Sequence, residues 1–447
     1  MQKQEVRSRS GKHKHRCHSI KHNALCSLSE ILSIENITAA RIAEKTNAHT
    51  LKNKGLRERI KAFCDMDNAE YWENEFRIMA SSEKYTPKPI RIHRIPKDNG
   101  KEREIYIRDN PMDRLVERAI YLQTAPVLEK TLSNAAYAYR PGVNMGQMIK
   151  EIQRYREEGF NSCIKADLSK FFNTIDQTIL REELQKTLHP DPGATRLLNK
   201  FISSRYYDSR TGSVCTLDIG VAQGGTMAPL LANFYCNPLD KVIESVSGIK
   251  YFRYADDILI IGKDVQEVGK AYSILLEELE KRKLKINEEK LNRGTLTGMD
   301  ILGIRFAENN SLAIPEGRLR KKIRLICYTE DSFERIRKWI GLIQHYRQID
   351  ISLLEETDIP VIVREECSKA EIAEELLDCL QRVKEHYTEQ KWEEIEELYC
   401  APVTYGTYVP IRNGSSGFAG GIHSSAARQI EFQERSAVSR EAALCMA

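Results

Sequence analysis

The stretch KYFRYADDILIIGK, residues 250–263, sets two adjacent aspartates between runs of β-branched and aromatic residues. Tyr251, Phe252, Ile258, Leu259, Ile260 and Ile261 have the composition of two short buried strands. Ala255, Asp256 and Asp257 are few enough to form the turn of a hairpin joining them, so the chain must carry two negative charges at the tip of an apolar hairpin. A second acidic signal lies upstream in CIKADLSKFFNTID, residues 163–176, where Ile164 and Ala166 lead into Asp167 and the pair Phe171-Phe172 follows. If the two strands were neighbours in one sheet, the carboxylates would converge. Converging carboxylates repel, and burying them unpaired is costly. Divalent cations remove that cost, and hard oxygen ligands suit Mg²⁺, which takes one or two carboxylates together with substrate phosphates. Two such ions about 4 Å apart would activate an attacking hydroxyl and stabilise a leaving pyrophosphate.

The rest of the chain has room for such a site. Its 447 residues allow two or three domains, each with its own core. With 41% hydrophobic and 30% charged residues it reads as a soluble globular protein. No apolar run approaches the ~20 residues of a membrane span, and the polar, basic N-terminus is not that of a secretory signal. Eleven cysteines without a C-x-x-C pair are expected to be free thiols in a reducing cytoplasm. The net charge is only +4, yet residues 1–30 carry seven Lys/Arg against two glutamates, and RLRKKIR at 318–324 is a second basic run. Local basic stretches in a nearly neutral chain suit a polyanion held along a path, although solvated helix faces would have the same composition.

Along the chain, LSEILSIENITAARIAEK reads as helical, and IRIHRIPKDNGKEREIYI (90–107) as a basic strand-turn-strand. Residues 160–306 have a mixed α/β texture, 315–400 read as helices, and 405–425 as an irregular Gly/Ser segment. HKHRCHSIKHNALC gathers His13, His15, Cys17, His18, His22 and Cys26; the spacings match no ordinary zinc finger, and a basic nucleic-acid arm is the favoured reading.

Several of these stretches together resemble a reverse transcriptase of the bacterial, group II intron-like lineage. YADD (254–257) resembles its catalytic hairpin, KADLSKFF (165–172) its first aspartate motif, and VAQGGTMAPLLANFYCNPLD (221–240) the helix beneath the incoming nucleotide. IPKDNGKEREIYI resembles its fingers strands, AYRPGVN (138–144) its R-P-G motif, LKINEEK (284–290) its lysine-bearing motif, ILGIRF (301–306) its primer-grip turn and IRKWIGLIQHYR (336–347) its thumb. The resemblance covers roughly 85–350. It implies an α+β right-hand polymerase fold: a partly helical basic extension over 1–84, fingers 85–160, a palm with an antiparallel sheet over 161–314, a helical thumb 315–400, and a C-terminal extension 401–447.

The same resemblance implies a role for each matched residue. Asp167 and Asp256 would be metal ligands, with Asp257 in support or simply a solvated turn residue; Leu168 joins the metal set. Lys290 would protonate the departing pyrophosphate, unless it is only a helix-end lysine. Phe172 would exclude a sugar 2′-hydroxyl and so favour deoxynucleotides, core packing being the alternative. Lys97, Lys101 and Arg103 would hold the triphosphate, Arg103 foremost, and Gln223 and Gly224 would face the nascent base pair. Arg140 would touch template or form a structural salt bridge; Tyr254, Leu302, Gly303, Arg318, Lys321 and Lys322 complete a template and primer surface. Two Mg²⁺ ions, with Mn²⁺ as an alternative, are the implied cofactors.

With the retron and maturase branches set aside, the chain most resembles the stand-alone, defence-associated bacterial enzymes, which have an intron-type core with unusual flanks. Neither a V-T-G motif of the retron kind nor a Cys-rich nuclease segment after the thumb motif is found. The expected partners are dNTPs, a cDNA product and an RNA template, a structured non-coding RNA in particular, with a homo-oligomer open and no membrane. The expected location is the bacterial cytoplasm. An RNA-binding, maturase-like splicing or scaffold protein on the same fold is the alternative.

Overall fold

The computed structural model describes residues 26–48, 54–65, 84–96, 102–347 and 358–385, with isolated residues between these segments. Lys97 and Lys101, the basic arm up to residue 25 and the extension 401–447 lie outside the described residues.

The apolar run Ile258-Leu259-Ile260-Ile261 explains how the centre of the molecule is built. Side chains alternate across a strand, so an unbroken apolar run must bury both of its faces. β3 (Ser162–Asp167), β6 (Ile249–Tyr254), β7 (Asp257–Gly262) and β8 (Asn292–Thr295) form one sheet in the order β6-β7-β3-β8. All three pairings are antiparallel. Ile164, Ala166, Ile258 and Ile260 enter a core shared with the helix Ala228–Glu244, while Cys163, Phe252, Leu259 and Ile261 enter a second core shared with the thumb helices. The palm sheet is therefore a wall between two cores.

The fingers contain β1 (Ile90–Pro96) and β2 (Glu102–Ile107), an antiparallel pair. β4 (Arg205–Asp208) and β5 (Ser213–Thr216) extend this sheet in the order β2-β1-β4-β5, with β4 parallel to β1. Both β4 and β5 fall in the stretch expected as palm, and β4 hydrogen-bonds to β1 in the stretch expected as fingers. Tyr206 there meets Tyr106 edge-on at 5.7 Å, and both pack with Ile90, Ile92 and Ala222. A third, small sheet of β9 (Asp300–Ile301), β10 (Ile304–Phe306) and β11 (Leu312–Ala313) precedes the thumb. The thumb's helices Glu316–Cys327, Ser332–Arg347, Ile359–Glu366 and Ala370–Glu385 pack around buried Trp339, whose indole N–H donates to the Leu376 carbonyl at 2.9 Å. The result is a mixed α+β architecture whose central sheet is antiparallel throughout, as a right-hand polymerase fold requires.

The expectation of free thiols needs one correction: Cys327 and Cys367 are joined by a disulfide. The helices Glu316–Cys327 and Ile359–Glu366 pack together and bring the two cysteines, remote in sequence, into contact. Cys26, Cys64, Cys163, Cys215, Cys236 and Cys379 are thiols. Cys26 bridges to Pro190 in the core, and burial with Glu30 and Asp191 nearby pushes its thiol up to about 12; the other members of the His/Cys cluster lie outside the described residues.

The N-terminal extension is tied to the fingers by charge as well as by apolar packing. The helix Ile34–Ala48 lies on the helix Pro111–Glu129, and Glu44, 1% exposed, accepts from Arg114 at 2.9 Å and Arg118 at 2.8 Å. Burial alone would raise the Glu44 pKa, but the two guanidinium groups outweigh it and hold it below the ordinary carboxylate range. Removing one partner of a buried ion group strands the others, at a cost of about 3–5 kcal/mol. Glu44→Ala is expected to lose that much stability in urea unfolding; a loss below about 1 kcal/mol would show that the extension contributes little to the fold.

Candidate active site

The two acidic stretches meet because β3 and β7 are neighbours. Their register places Asp167 opposite Asp257, and Tyr254 also pairs with Asp257, so the turn itself is only Ala255-Asp256. Ala255 has φ +58°, a region that costs an L-residue about 1–2 kcal/mol. Arg253 holds it there. Its guanidinium donates to the Ala255 carbonyl at 3.0 Å and to Asn233 Oδ1 at 3.1 Å, and grips both oxygens of Asp240 at 2.8 and 2.6 Å. The Tyr251 hydroxyl adds a 2.8 Å bond to Asp240, and the Arg253–Asp240 pair is wholly buried. On the other side of the turn, the Leu168 N–H donates to the Asp256 carbonyl at 2.9 Å.

A parallel set of bonds brings in Lys290. The Asn287 N–H donates to the Asp167 carbonyl at 2.7 Å and the Ser169 N–H to the Lys285 carbonyl at 2.8 Å, which lays residues 285–290 along the catalytic strand. The short 3₁₀ turn Glu288–Lys290 then delivers Lys290 Nζ to Asp167 Oδ1 at 2.8 Å. Burial opposes the ammonium charge, but Asp167, with Asp256 and Asp257 behind it, leaves the Lys290 pKa raised. Burial, and then Asp167, raises the Asp256 pKa; burial and Asp256 push Asp257 up to about 6. Negative charge is thus held here against its own preference.

A cleft of about 1100 Å³ opens over these groups. Of the residues expected from sequence, Arg103, Asp167, Leu168, Phe172, Gln223, Asp256 and Lys290 line it, and Asp257 does not. Glu102, Glu104, Tyr139, Glu288 and Glu289 also line it and had no assigned role. Among the described residues no group of three His, Cys, Asp or Glu side chains is placed to hold a metal ion. The donor set nevertheless fits Mg²⁺, which needs only one or two carboxylates when substrate phosphates supply the remaining oxygens.

The other expected site residues stand apart from the cleft wall. Gly224, φ +107°, serves close packing: a Cβ there would lie 2.9 Å from the Tyr106 carbonyl of β2, and the Gln223 carbonyl accepts from the Tyr106 N–H at 2.7 Å. Glu117 supports the same loop, accepting from the Met227 N–H at 3.2 Å and from Arg108 at 2.9 Å. Arg140 is occupied by Glu129 at 3.2 Å and by the carbonyls of Ser133 and Ala136. Tyr254 ends β6 and packs against the second core. Leu302 and Gly303, both at positive φ, make the tight turn between β9 and β10, and Arg318 lies across Gly303. Within the basic run, Lys322 lies over the Tyr346 ring at 5.1 Å, and Lys321 is exposed on the same helix. Arg320 and Arg324 are taken up by Glu316, Glu365 and Glu366.

Arg253, Asp240, Asn233, Glu117 and Tyr139 were not anticipated as supports of the site. The one available signal was an arginine two residues before the Ala255-Asp256 turn, set between the aromatic residues Phe252 and Tyr254.

Comparison with known proteins agrees with this geometry. Residues 95–306 match the family described as reverse transcriptase (RNA-dependent DNA polymerase). Protein YkfC of Escherichia coli (strain K12) is 27% identical over 215 residues, covering 40% of this chain and 55% of YkfC. The group II intron-encoded protein LtrA of Lactococcus lactis subsp. cremoris is 26% identical over 163 residues, 36% of this chain and 26% of LtrA. The Retron Ec86 reverse transcriptase of Escherichia coli is 25% identical over 198 residues, 41% of this chain and 56% of that protein. The chain therefore spans about half the length of YkfC and of the Retron Ec86 enzyme, and about a quarter of LtrA. No described helix is long and apolar enough to cross a membrane. Asp167, Asp256, Asp257 and Lys290 all lie within residues 95–306, the stretch that matches the reverse transcriptase family.

Proposed function

We propose that the chain is an RNA-directed DNA polymerase that joins a primer 3′-hydroxyl to the α-phosphate of a dNTP and releases pyrophosphate. The observation that carries this reading is the convergence on one large cleft of Asp167, at the end of β3, and Asp256, in the turn that leads into the adjacent antiparallel strand β7. Asp167 and Asp256, with Leu168 beside them and Asp257 in support, would hold two Mg²⁺ ions; when bound, such ions supply electrostatic stabilisation to the attacking and leaving oxygens. Arg103, on the fingers strand facing the cleft, offers a planar fork to the triphosphate. Gln223 sits where the loop before the Ala228–Glu244 helix meets the fingers, a position suited to the nascent base pair. Lys290 Nζ, kept charged by Asp167, has a proton to give the departing pyrophosphate.

Phe172 is 9% exposed and still lines the cleft, so a small part of the side chain reaches the cleft while the rest is packed away. That suits a steric barrier to a 2′-hydroxyl. Phe172→Val is expected to raise rNTP use relative to dNTP by about tenfold or more, about 1.4 kcal/mol of discrimination, in single-nucleotide extension. An unmoved ratio would leave Phe172 as core packing.

The template in this reading is RNA, with a structured non-coding RNA as the favoured source, bound in part by the basic residues 1–26. A role in defence against phage rests on the motif resemblance to stand-alone enzymes. The likeness to LtrA supports a second reading, an RNA-binding maturase-like protein on the same fold. Primer extension by the full chain, on an RNA template with an annealed DNA primer and with Mg²⁺ or Mn²⁺, separates the two. The polymerase reading expects dNTP-dependent extension; RNA binding with no extension under any of these conditions favours the alternative.

A further inference from the structure

Tyr139 lines the nucleotide cleft, and no role in the reading above uses it. Its ring meets Phe172 edge-on, with centroids 6.4 Å apart and planes at 63°. Its backbone is in the left-handed region, φ +61°, which a bulky residue keeps only where its surroundings over-determine it. They do so on both sides. The Ala138 carbonyl accepts from Asn233 Nδ2 at 2.7 Å and the Tyr137 N–H donates to the Arg253 carbonyl at 2.9 Å. After it, Arg140 is anchored on Glu129, Ser133 and Ala136. Asn233 and Arg253 also bond each other beneath the Ala255-Asp256 turn, so the residue holding Tyr139 belongs to the network that holds the catalytic hairpin. Phe172 also packs against Phe171, ring centroids 5.3 Å apart.

We propose that Tyr139 is a specificity-determining residue of the nucleotide site, a second aromatic wall that fixes the Phe172 ring against the sugar of the incoming nucleotide. The inference rests on the polymerase reading and on Phe172 as the sugar barrier. A ring packed against both Phe171 and Tyr139 cannot turn aside to admit a 2′-hydroxyl; without Tyr139 it can. The contact is between the two rings and does not involve the hydroxyl. Aromatic edge-to-face contacts are worth enough to set discrimination by several-fold.

The test is single-nucleotide extension by the full chain on an annealed RNA template and DNA primer, with dNTP or the matching rNTP. Tyr139→Ala, Tyr139→Phe, Phe172→Ala and the double alanine variant are compared by maximal rate and half-saturating concentration. Tyr139→Ala is expected to raise relative rNTP use about fivefold, chiefly through tighter rNTP saturation, while Tyr139→Phe behaves as wild type. The double variant should match Phe172→Ala alone, because Tyr139 acts through that ring. A changed ratio in Phe172→Ala with none in Tyr139→Ala overturns the role of Tyr139 and leaves the barrier standing. No change in Phe172→Ala overturns both. Equal loss of maximal rate for both nucleotides in Tyr139→Ala, with the ratio constant, marks the residue as structural and also overturns the inference.

Discussion

Asp256→Asn should lose dNTP incorporation by about 10³-fold, or some 4 kcal/mol of transition-state stabilisation, while the protein folds and binds RNA as before. The amide keeps the shape of the side chain, and the bond from the Leu168 N–H goes to the Asp256 backbone carbonyl, which the change does not touch. Folding should even gain. The folded-state pKa of Asp256 is raised by burial and by Asp167, so the ionised carboxylate is disfavoured by the fold itself. A raised folded pKa means stability that is full at low pH and lost as pH rises through the folded value. For Asp257 that loss spans the interval from 3.8 to about 6. At pH 7 the Asn variants should therefore be at least as stable as wild type, with the advantage disappearing toward pH 3–4. Single-turnover extension and urea unfolding at the two pH values check both halves. Extension near the wild-type rate would remove Asp256 from the metal-binding set; an unstable variant would mean that its carboxylate has a structural partner.

Asp240→Ala should be the most damaging single change in the palm. Asp240 accepts three bonds, two from Arg253 and one from Tyr251, and both members of the ion pair are fully buried. Without it a guanidinium is left in the core with no counter-charge, a loss of about 3–5 kcal/mol. Arg253 also supplies the bond that stabilises the left-handed Ala255 next to Asp256, so the lesion reaches the catalytic turn. Replacing both members, as in Asp240→Leu with Arg253→Met, should recover much of the stability because no charge remains buried. It should not recover extension, because the Ala255 carbonyl loses its donor. Urea unfolding of the single and double variants, with primer extension on each, measures the separation. Extension restored along with stability would show that the network supports the fold and not the turn.

The chemistry of the site and its local elements could be read from the linear chain. An unbroken apolar run next to Asp256 and a shorter one before Asp167 are local signals, because a strand's burial is written in its own residues. The order of the motifs carried the polymerase architecture, and the two-residue turn differs from the expected one only in starting β7 at Asp257. Partnership was not legible. That β3 lies beside β7 is a register choice between segments far apart in sequence, and it alone brings Asp167 to Asp256. Arg253 and Asp240 look like ordinary charges in apolar surroundings until their elements pack together. The basic run 318–324 shows its charge in sequence, and Glu316 is a local i,i+4 partner of Arg320, but Glu365 and Glu366, which absorb Arg320 and Arg324, are brought to them by the packing of a second helix. Residues 205–216 join the fingers because their edge pairs with β1, a hydrogen-bonding decision that strand composition cannot predict. The Cys327–Cys367 pair and the contact between Tyr139 and Phe172 belong to the same class. Periodicity and residue type determined which segments form strands and helices and which side chains can do chemistry. Long-range packing, in which each buried charge and each strand edge must find a partner, decided which of those side chains act together.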